Sequence, residues 1–419
     1  MTTRATAQQI TEQAIREWSR SLGEPEWLTT RRVDAWRAFE AMAMPTGEEE
    51  EWRRTDISGF DLDGDLSRLS FSLVAPGIQP GAAGDRASKG RDQVVHLRLS
   101  EAATSHETLV REHLHSVVQP TEWKLQALQA ALWREGTFLY VPRGVEVEVP
   151  VGLLLKSTVP GEPCFAHLLV IAEEDSSITI IQEDQSPDAE QQSLVSAAVE
   201  IIQRPNSRVR LFDIQRWGAN AYNFTTVRAK LDKGAQFTTC NVGLGGRLTK
   251  ARIEALLEGE GSTANLVGLS FGNERQHFDY NTLQDHVGSK TTSDLLYKAA
   301  LTGHASEVWY GTVRIHTGAT GSDANQTSRN LLLSESAKAA PIPVLEIEQY
   351  DILRCSHGAT AGPVDEEQLF YLESRGIEHD EAERMLVDAF FQEVLDRIPD
   401  EAVRERVQTA LVEKLEASA

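Results

Sequence analysis

Between residues 137 and 355 the chain repeats itself, and this repetition constrains the fold more than any other feature. Four segments share one template: LVIAEEDSSITIIQE (169–183), EIIQRPNSRVRLFDI (200–214), AKLDKGAQFTTCNV (229–242) and ALLEGEGSTANLVGL (255–269). Each is an apolar strand, a polar step, a turn with a small residue, and a second, alternating strand. Taking the small residue as Ser176, Ser207, Ala235 and Ser262, the spacings are 31, 28 and 27. Self-similarity at a period of roughly 20–50 residues marks a stacked architecture in which each unit buries its apolar face on the next. No helical pattern separates the strands, which argues against βαβ units. The expected fold is mainly β, a right-handed parallel β-helix or β-solenoid core flanked by N-terminal and C-terminal helical segments. A β-sandwich of similar strands is the alternative.

The flanks read as helix. Ile10, Ala14, Ile15 and Trp18 share one helical face before Gly23 and Pro25, and Val33, Trp36, Phe39 and Ala43 share another before Pro45. The acidic run Glu48–Glu51 reads as a solvated helix start, with Trp52 packing behind it. Residues 75–92 are rich in Ala, Gly and Pro and read as a loop or linker. Beyond the repeats, Asp365 followed by Gln368 resembles a capping box, and Gly376 a helix C-cap. A second helix from Asp380 carries Ala382, Met385, Leu386, Ala389, Phe390, Val394 and Leu395 at helical spacing. A third, from Pro399-Asp400, aligns Val403, Val407, Leu411 and Leu415. These helices either pack together as a small bundle or leave an apolar groove for a partner. Leu386 and Phe390 are accordingly the candidate partner-binding residues. The expected division is a helical region at 1–75, a linker at 76–93, a β core at 94–360 and a helical domain at 361–419.

Charge and cysteine usage narrow the class. Lys and Arg number 41 against 63 acidic residues, a net charge of −22, and no basic stripe offers a nucleic-acid footprint. No apolar run reaches the roughly 18 residues that a membrane-spanning helix needs, and the first residues lack an apolar signal core. Cys164, Cys240 and Cys355 are few, odd in number and far apart, which points to a reducing, cytoplasmic setting rather than a disulfide framework. Three thiols are also too few for a self-contained iron–sulfur cluster, which takes four. The run GLGGRLTK at 243–250 lacks the Gly-Lys-Ser/Thr end of a phosphate-binding loop, so no ATP hydrolysis is expected.

The stretch PIPVLEIEQYDILRCSHGATAGPVDEEQLFYLESRG, residues 341–376, concentrates the candidate chemistry. Cys355 and His357 lie two apart, so in an extended strand both side chains point to the same side and both can face one metal or redox partner. A buried free thiol beside a hydrogen-bonded imidazole is the plainer reading. The segment QHFDYNTLQDH adds His277, Asp279, Asp285 and His286, which hold a metal only if a turn makes them converge; structural hydrogen bonding is favoured. His96, His106, His113 and His115, with their His-x-His pair, read as surface histidines for want of a metal-site spacing.

The string LEI…D-I…RCSHGATAGPVDEEQLFYLESRGI resembles the C-terminal signature of the SufB/SufD family of iron–sulfur cluster assembly proteins. EEEEWRRTDIS (48–58), FLYVPRGVEVEVPV (138–151) and NQTSRNLLLS (325–334) resemble it in the same order. The resemblance implies a β-helical core and a non-catalytic scaffold subunit of the SUF system. It also implies a SufB-like paralogue as heterodimer partner and a SufC-type ABC ATPase docking on the C-terminal helices. Ser328 stands where the SufB type carries a thiolate, so the likeness is nearest the SufD type. In that type a histidine, here His357 with Cys355 beside it, faces a cysteine of the partner, and iron or a nascent cluster is shared between the subunits. Tyr310-Gly311, where family members often have Asn-Gly, and the lead-in AAPIPVLEIEQYD depart from the pattern. A structural homodimer without metal and a carbohydrate-active β-solenoid enzyme are the other readings; the latter lacks carboxylates converging on one face.

Overall fold

The repeat builds a parallel β-solenoid. In the computed structural model, which describes residues 10–69, 78–80, 90–157 and 159–418, successive strands alternate between two nine-stranded sheets, and within each sheet the repeat strands run parallel and in register. We call them the N sheet and the C sheet after the terminal helices that cover them. The N sheet runs from Val95–Arg98 through Cys164–Ala172, Ser193–Gln203 and His277–His286 to Lys338–Ile347. The C sheet runs from Ile78–Pro80 through Ser177–Gln185, Arg208–Arg216 and Thr292–Leu301 to Arg354–Pro363.

The small residues that set the repeat occupy its turns. Asp175, Asn206, Gly234, Gly261 and Lys290 take left-handed backbone, and the residue after each is Ser176, Ser207, Ala235, Ser262 or Thr291, all buried. The left-handed residue donates its N–H to the next coil, as from Asn206 to Lys233 O (2.8 Å) and from Gly234 to Glu260 O (3.0 Å). Stacking therefore requires a short, tight corner at the same place in every coil, and only a small following residue fits inside it. Alternation then sends every second side chain inward. Leu168, Val170, Ile201, Val227, Ile253, Phe278, Leu211, Phe237, Leu266 and Leu295 fill the lumen between the sheets.

Each outer face is covered by helices. On the N sheet lie α1 (Glu12–Ser21), α2 (Glu26–Ala41), α3 (Leu62–Ser67), α4 (Leu99–Ser105), α5 (Glu107–His113) and α6 (Lys124–Leu132). They join Phe165, Leu169, Leu194, Ile202 and Phe224 in one apolar cluster. Three helices, α4 to α6, thus fall within the span expected for the β core; LQALQAAL packs its apolar side chains against α2 and the sheet. Glu48–Glu51 form turns rather than a helix start, and Glu51 pairs with Arg252 while Trp52 packs on Trp123 and Phe224. Most of the expected linker, 76–93, lies outside the described residues.

Beyond the last strand α7 (Glu366–Glu373) packs against α8 (His379–Leu395), and α8 and α9 (Glu401–Ser418) lie on the C sheet. α8 and α9 do not form a bundle apart from the core. Val387, Phe391, Val394, Leu395, Val403, Val407 and Leu411 pack directly on Phe212, Val242, Leu269 and Leu296. Ion pairs rim this contact, Arg397–Asp294 at 2.6 Å and Arg406–Glu183 at 2.9 Å. The inward stripe of α8 is therefore turned from the expected one. Val387, Phe391 and Leu395 lead it, Met385 is 45% exposed, and Leu386 and Phe390 sit at its margin. An apolar arc wide enough to include both sets of residues left the choice to shape, and the flat sheet selected the face with Val387 and Phe391.

Candidate functional site

The two ends of the solenoid differ. At the N-terminal end antiparallel strands close both sheets, Val95–Arg98 against Glu135–Val141 and Ile78–Pro80 against Val151–Lys156. At the other end Lys338–Ile347 and Arg354–Pro363 are the last strands, and among the described residues nothing pairs with their outer edges. Their side chains are half-buried or exposed throughout, and in the connection between them Leu353 is 77% exposed and Tyr350 fully so. A parallel edge with free N–H and C=O groups over an uncapped lumen is a surface that solenoids and sheets ordinarily cover.

His357 and Cys355 stand on this end strand. Register sets Cys355 beside Ala324, His357 beside Gln326 and Ala359 beside Ser328. Strand alternation directs both residues to the lumen side, while Ser356 points outward and donates to Asn325 Oδ1 at 2.8 Å. Cys355 packs half-buried against Val313, Ile315, Ala319 and Ala324, and burial raises its thiol pKa. His357, one step nearer the middle of the strand, is exposed. Ser328 lies one coil in, fully buried, with its hydroxyl accepting from Asn330 Nδ2. Of the three thiols, Cys164 and Cys240 are sealed in apolar surroundings that push each up to about 12, leaving Cys355 as the accessible one.

The other sequence candidates do not converge. His277 and Asp279 face outward and meet the N-terminal segment: Thr55 Oγ1 donates to Asp279 and lies 3.0 Å from His277 Nε2. Asp279 also takes Lys250 Nζ at 2.6 Å in a buried ion pair. Asp285 pairs with His316, whereas His286 points into the lumen between Thr291 and Ser293. The alternation of one strand splits the four residues between opposite sides, so they serve as structural hydrogen-bonding groups. The expected surface positions also need correction: His113 is buried, and His115 is turned in against His167.

Pattern reading missed a polar file inside the lumen. Gln182, Asp213 and Asn241 are in register across three coils, with Tyr297 two coils further on. Tyr280, Tyr297, Ser270 and Glu307 gather beside them. Burial pushes Glu307 up to about 8 and Asp213 up to about 7. No side chain meets hydrogen-bond geometry with the Glu307 carboxylate among the described residues, and the Ser270 hydroxyl beside it offsets only part of the burial penalty. A lone acid at an inward-alternating position of a strand, Asp213 in RVRLFDIQR or Glu307 in SEVWYGTVRI, was the available signal. On its own, it is indistinguishable from a solvent-facing residue.

Residues 155–390 match the family described as "SUF system FeS cluster assembly, SufBD core domain", and 83–153 match "SufBD protein N-terminal region". A Bacillus subtilis protein named iron-sulfur cluster assembly protein SufB is 27% identical, over 94% of this chain and 90% of its own length. SufBD family proteins from Staphylococcus haemolyticus and Staphylococcus epidermidis are 29% and 28% identical over the same shares. No helix among the described residues is long and apolar enough to cross a membrane. With nearly all of the solenoid, α4 to α7 and the end-strand motif inside the matched residues, the chain belongs to the SufBD family of SUF-system iron–sulfur cluster assembly proteins.

Proposed function

We propose that this chain is the SufD-type member of its family, a non-catalytic scaffold that pairs with a SufB-like paralogue and is served by a SufC-type ATPase. One observation carries the reading: the uncapped end strand presents an exposed His357 beside a half-buried Cys355. A partner strand added to that edge would satisfy its backbone groups and close the lumen over both side chains. One accessible thiol and one imidazole are half a ligand set. Iron or a nascent cluster, the cargo of the assembly, would take its remaining ligands from the partner. Within this chain, Cys355 is held by the apolar wall behind it, and Ser356, pinned outward on Asn325, fixes which way the flanking residues point. Ser328 supports the SufD assignment over SufB, since a buried hydroxyl replaces the thiol.

The ATPase would dock at α7 and the outer margin of α8. α7 buries none of its residues, with Phe370 70% and Tyr371 56% exposed, and on α8, which packs against it, Met385 is exposed and Leu386 half-buried. Phe390 is tied down more firmly, under Lys298 Nζ at 4.7 Å from its ring.

Affinity purification from the native cell tests the assembly, with a SufB-like chain and an ATPase expected to co-elute. His357→Ala should leave the complex intact and lower the cluster yield at equal subunit recovery, while Cys355→Ala should be milder. A wild-type yield from His357→Ala, or a full cluster on the isolated chain, would overturn the shared-site reading. Leu386→Asp should abolish ATPase pull-down in a protein that remains folded by circular dichroism.

A further inference from the structure

The His-x-His pair plays no part in the end-coil site, and the fold gives it different surroundings. His113 closes α5, and His115, two residues on, adopts left-handed backbone at φ +61°. A side chain with a Cβ takes that conformation only where its surroundings enforce it. The enforcing group is Glu200, on the outer face of the N sheet. Its Oε1 accepts from the His115 N–H at 2.7 Å, and its Oε2 from the Val117 and Val118 N–H groups at 2.8 and 3.0 Å. His167 Nε2, from the neighbouring strand, lies 2.9 Å from the same carboxylate. The His115 ring stands edge-on to the His167 ring, centroids 5.0 Å apart. One donor atom from each of His115, His167 and Glu200 lies within 4.8 Å of the other two.

Hydrogen bonding alone explains two of the three groups. His167 can donate Nε2–H to Glu200 and accept from Gln129 Nε2, 3.3 Å from its Nδ1. It leaves His115 unexplained, an inward-turned imidazole on strained backbone whose buried Nδ1 has no hydrogen-bond partner. We propose that His115, His167 and Glu200 bind a divalent ion of the zinc class, which pins the helical layer to the solenoid. Two neutral imidazoles and a carboxylate are a nitrogen–oxygen set suited to such an ion, with a fourth position left for water. The carboxylate is already oriented by three backbone donors, the outer-shell support that metal ligands commonly have. Zinc–ligand distances of about 2.0–2.2 Å need donors closer together than 4.8 Å, so the His115 ring closes inward on binding. It can do so because it sits between α5 and α6 rather than on a strand. Zinc replaces the proton between His167 and Glu200. Arg31, hydrogen-bonded to the Leu114 and Arg111 carbonyls, is the opposing charge, and Arg32 is neutralised by Glu24 at 2.7 Å.

The test uses the full chain, stripped with chelator and titrated with Co²⁺ and then Zn²⁺. One Co²⁺ per chain should give the visible absorption of a tetrahedral nitrogen–oxygen site, and Zn²⁺ should bleach it. Free Zn²⁺ at about a hundred times its dissociation constant should raise the thermal midpoint by about 3 °C. His115→Gly removes the ring while easing the left-handed backbone, so the metal-free variant should fold normally yet lose both signals. His167→Gln should lose them too, and His379→Ala, an exposed imidazole on α8, should keep them. No uptake by the wild type, or equal uptake by His115→Gly, would overturn the site.

Discussion

Replacing Glu307 with Gln should change how the stability of this protein depends on pH. Glu307 is in register with Phe278 of the neighbouring coil and faces the lumen, where burial pushes its carboxyl from 4.5 up to about 8. A raised carboxyl contributes its full stability below pH 4.5, where it is protonated in both states. That contribution is lost as pH rises towards 8, because ionisation then favours the unfolded chain. At about 1.4 kcal/mol per pH unit, the loss between pH 5 and pH 7 is about 3 kcal/mol. An unfolding entropy of about 2.1 cal/mol/K per residue converts this to a midpoint change of about 3 °C for a chain of this length. Gln is isosteric and uncharged, so whatever its amide costs is the same at both values. Asp213, pushed up to about 7, and Asp184, raised by burial and by Asp213, add slopes of the same sign that largely cancel between the two proteins. Thermal or urea unfolding at pH 5 and pH 7 should show the gap between variant and wild type moving in favour of the variant by that amount. Parallel pH profiles would refute the buried, protonated carboxyl.

Three further outcomes follow from the packing. Phe391→Ala, under α8 on the C sheet, should cost about 3–5 kcal/mol in urea unfolding, whereas Met385→Ala, half-exposed on the same helix, should cost less than about 0.5 kcal/mol. Lys250→Met strands the Asp279 carboxylate in a buried site and should cost about 3–5 kcal/mol, most of it recovered in a Lys250→Met/Asp279→Leu double variant. Gly234→Ala should destabilise by about 1–2 kcal/mol, since its φ of +65° disfavours a Cβ and that atom would meet Asn206 Oδ1 at 2.6 Å; a smaller loss on the same assay would mean the corner yields.

What sequence alone determined was the part governed by local rules. The small residues at Ser176, Ser207, Ala235 and Ser262 carried the coil period, because one left-handed corner must recur wherever strands stack. The stripe of α9, Val403, Val407, Leu411 and Leu415, was likewise legible and is fully used. So was the pairing of Cys355 with His357 on one side of a strand, which strand alternation alone guarantees. Tertiary structure decided what depends on a distant surface. The face of α8 was chosen by the sheet beneath it, so Leu386 and Phe390 ended at the margin rather than at the centre. His277 and Asp279 were separated from His286 because one strand has an outside and an inside, and only the closed coil says which is which. His115 met His167 and Glu200 because residues far apart in sequence become neighbours when coils stack under a helical layer. Local spacing determines which side of an element a residue occupies. What lies opposite that side is decided by packing between coils, and no local pattern encodes it.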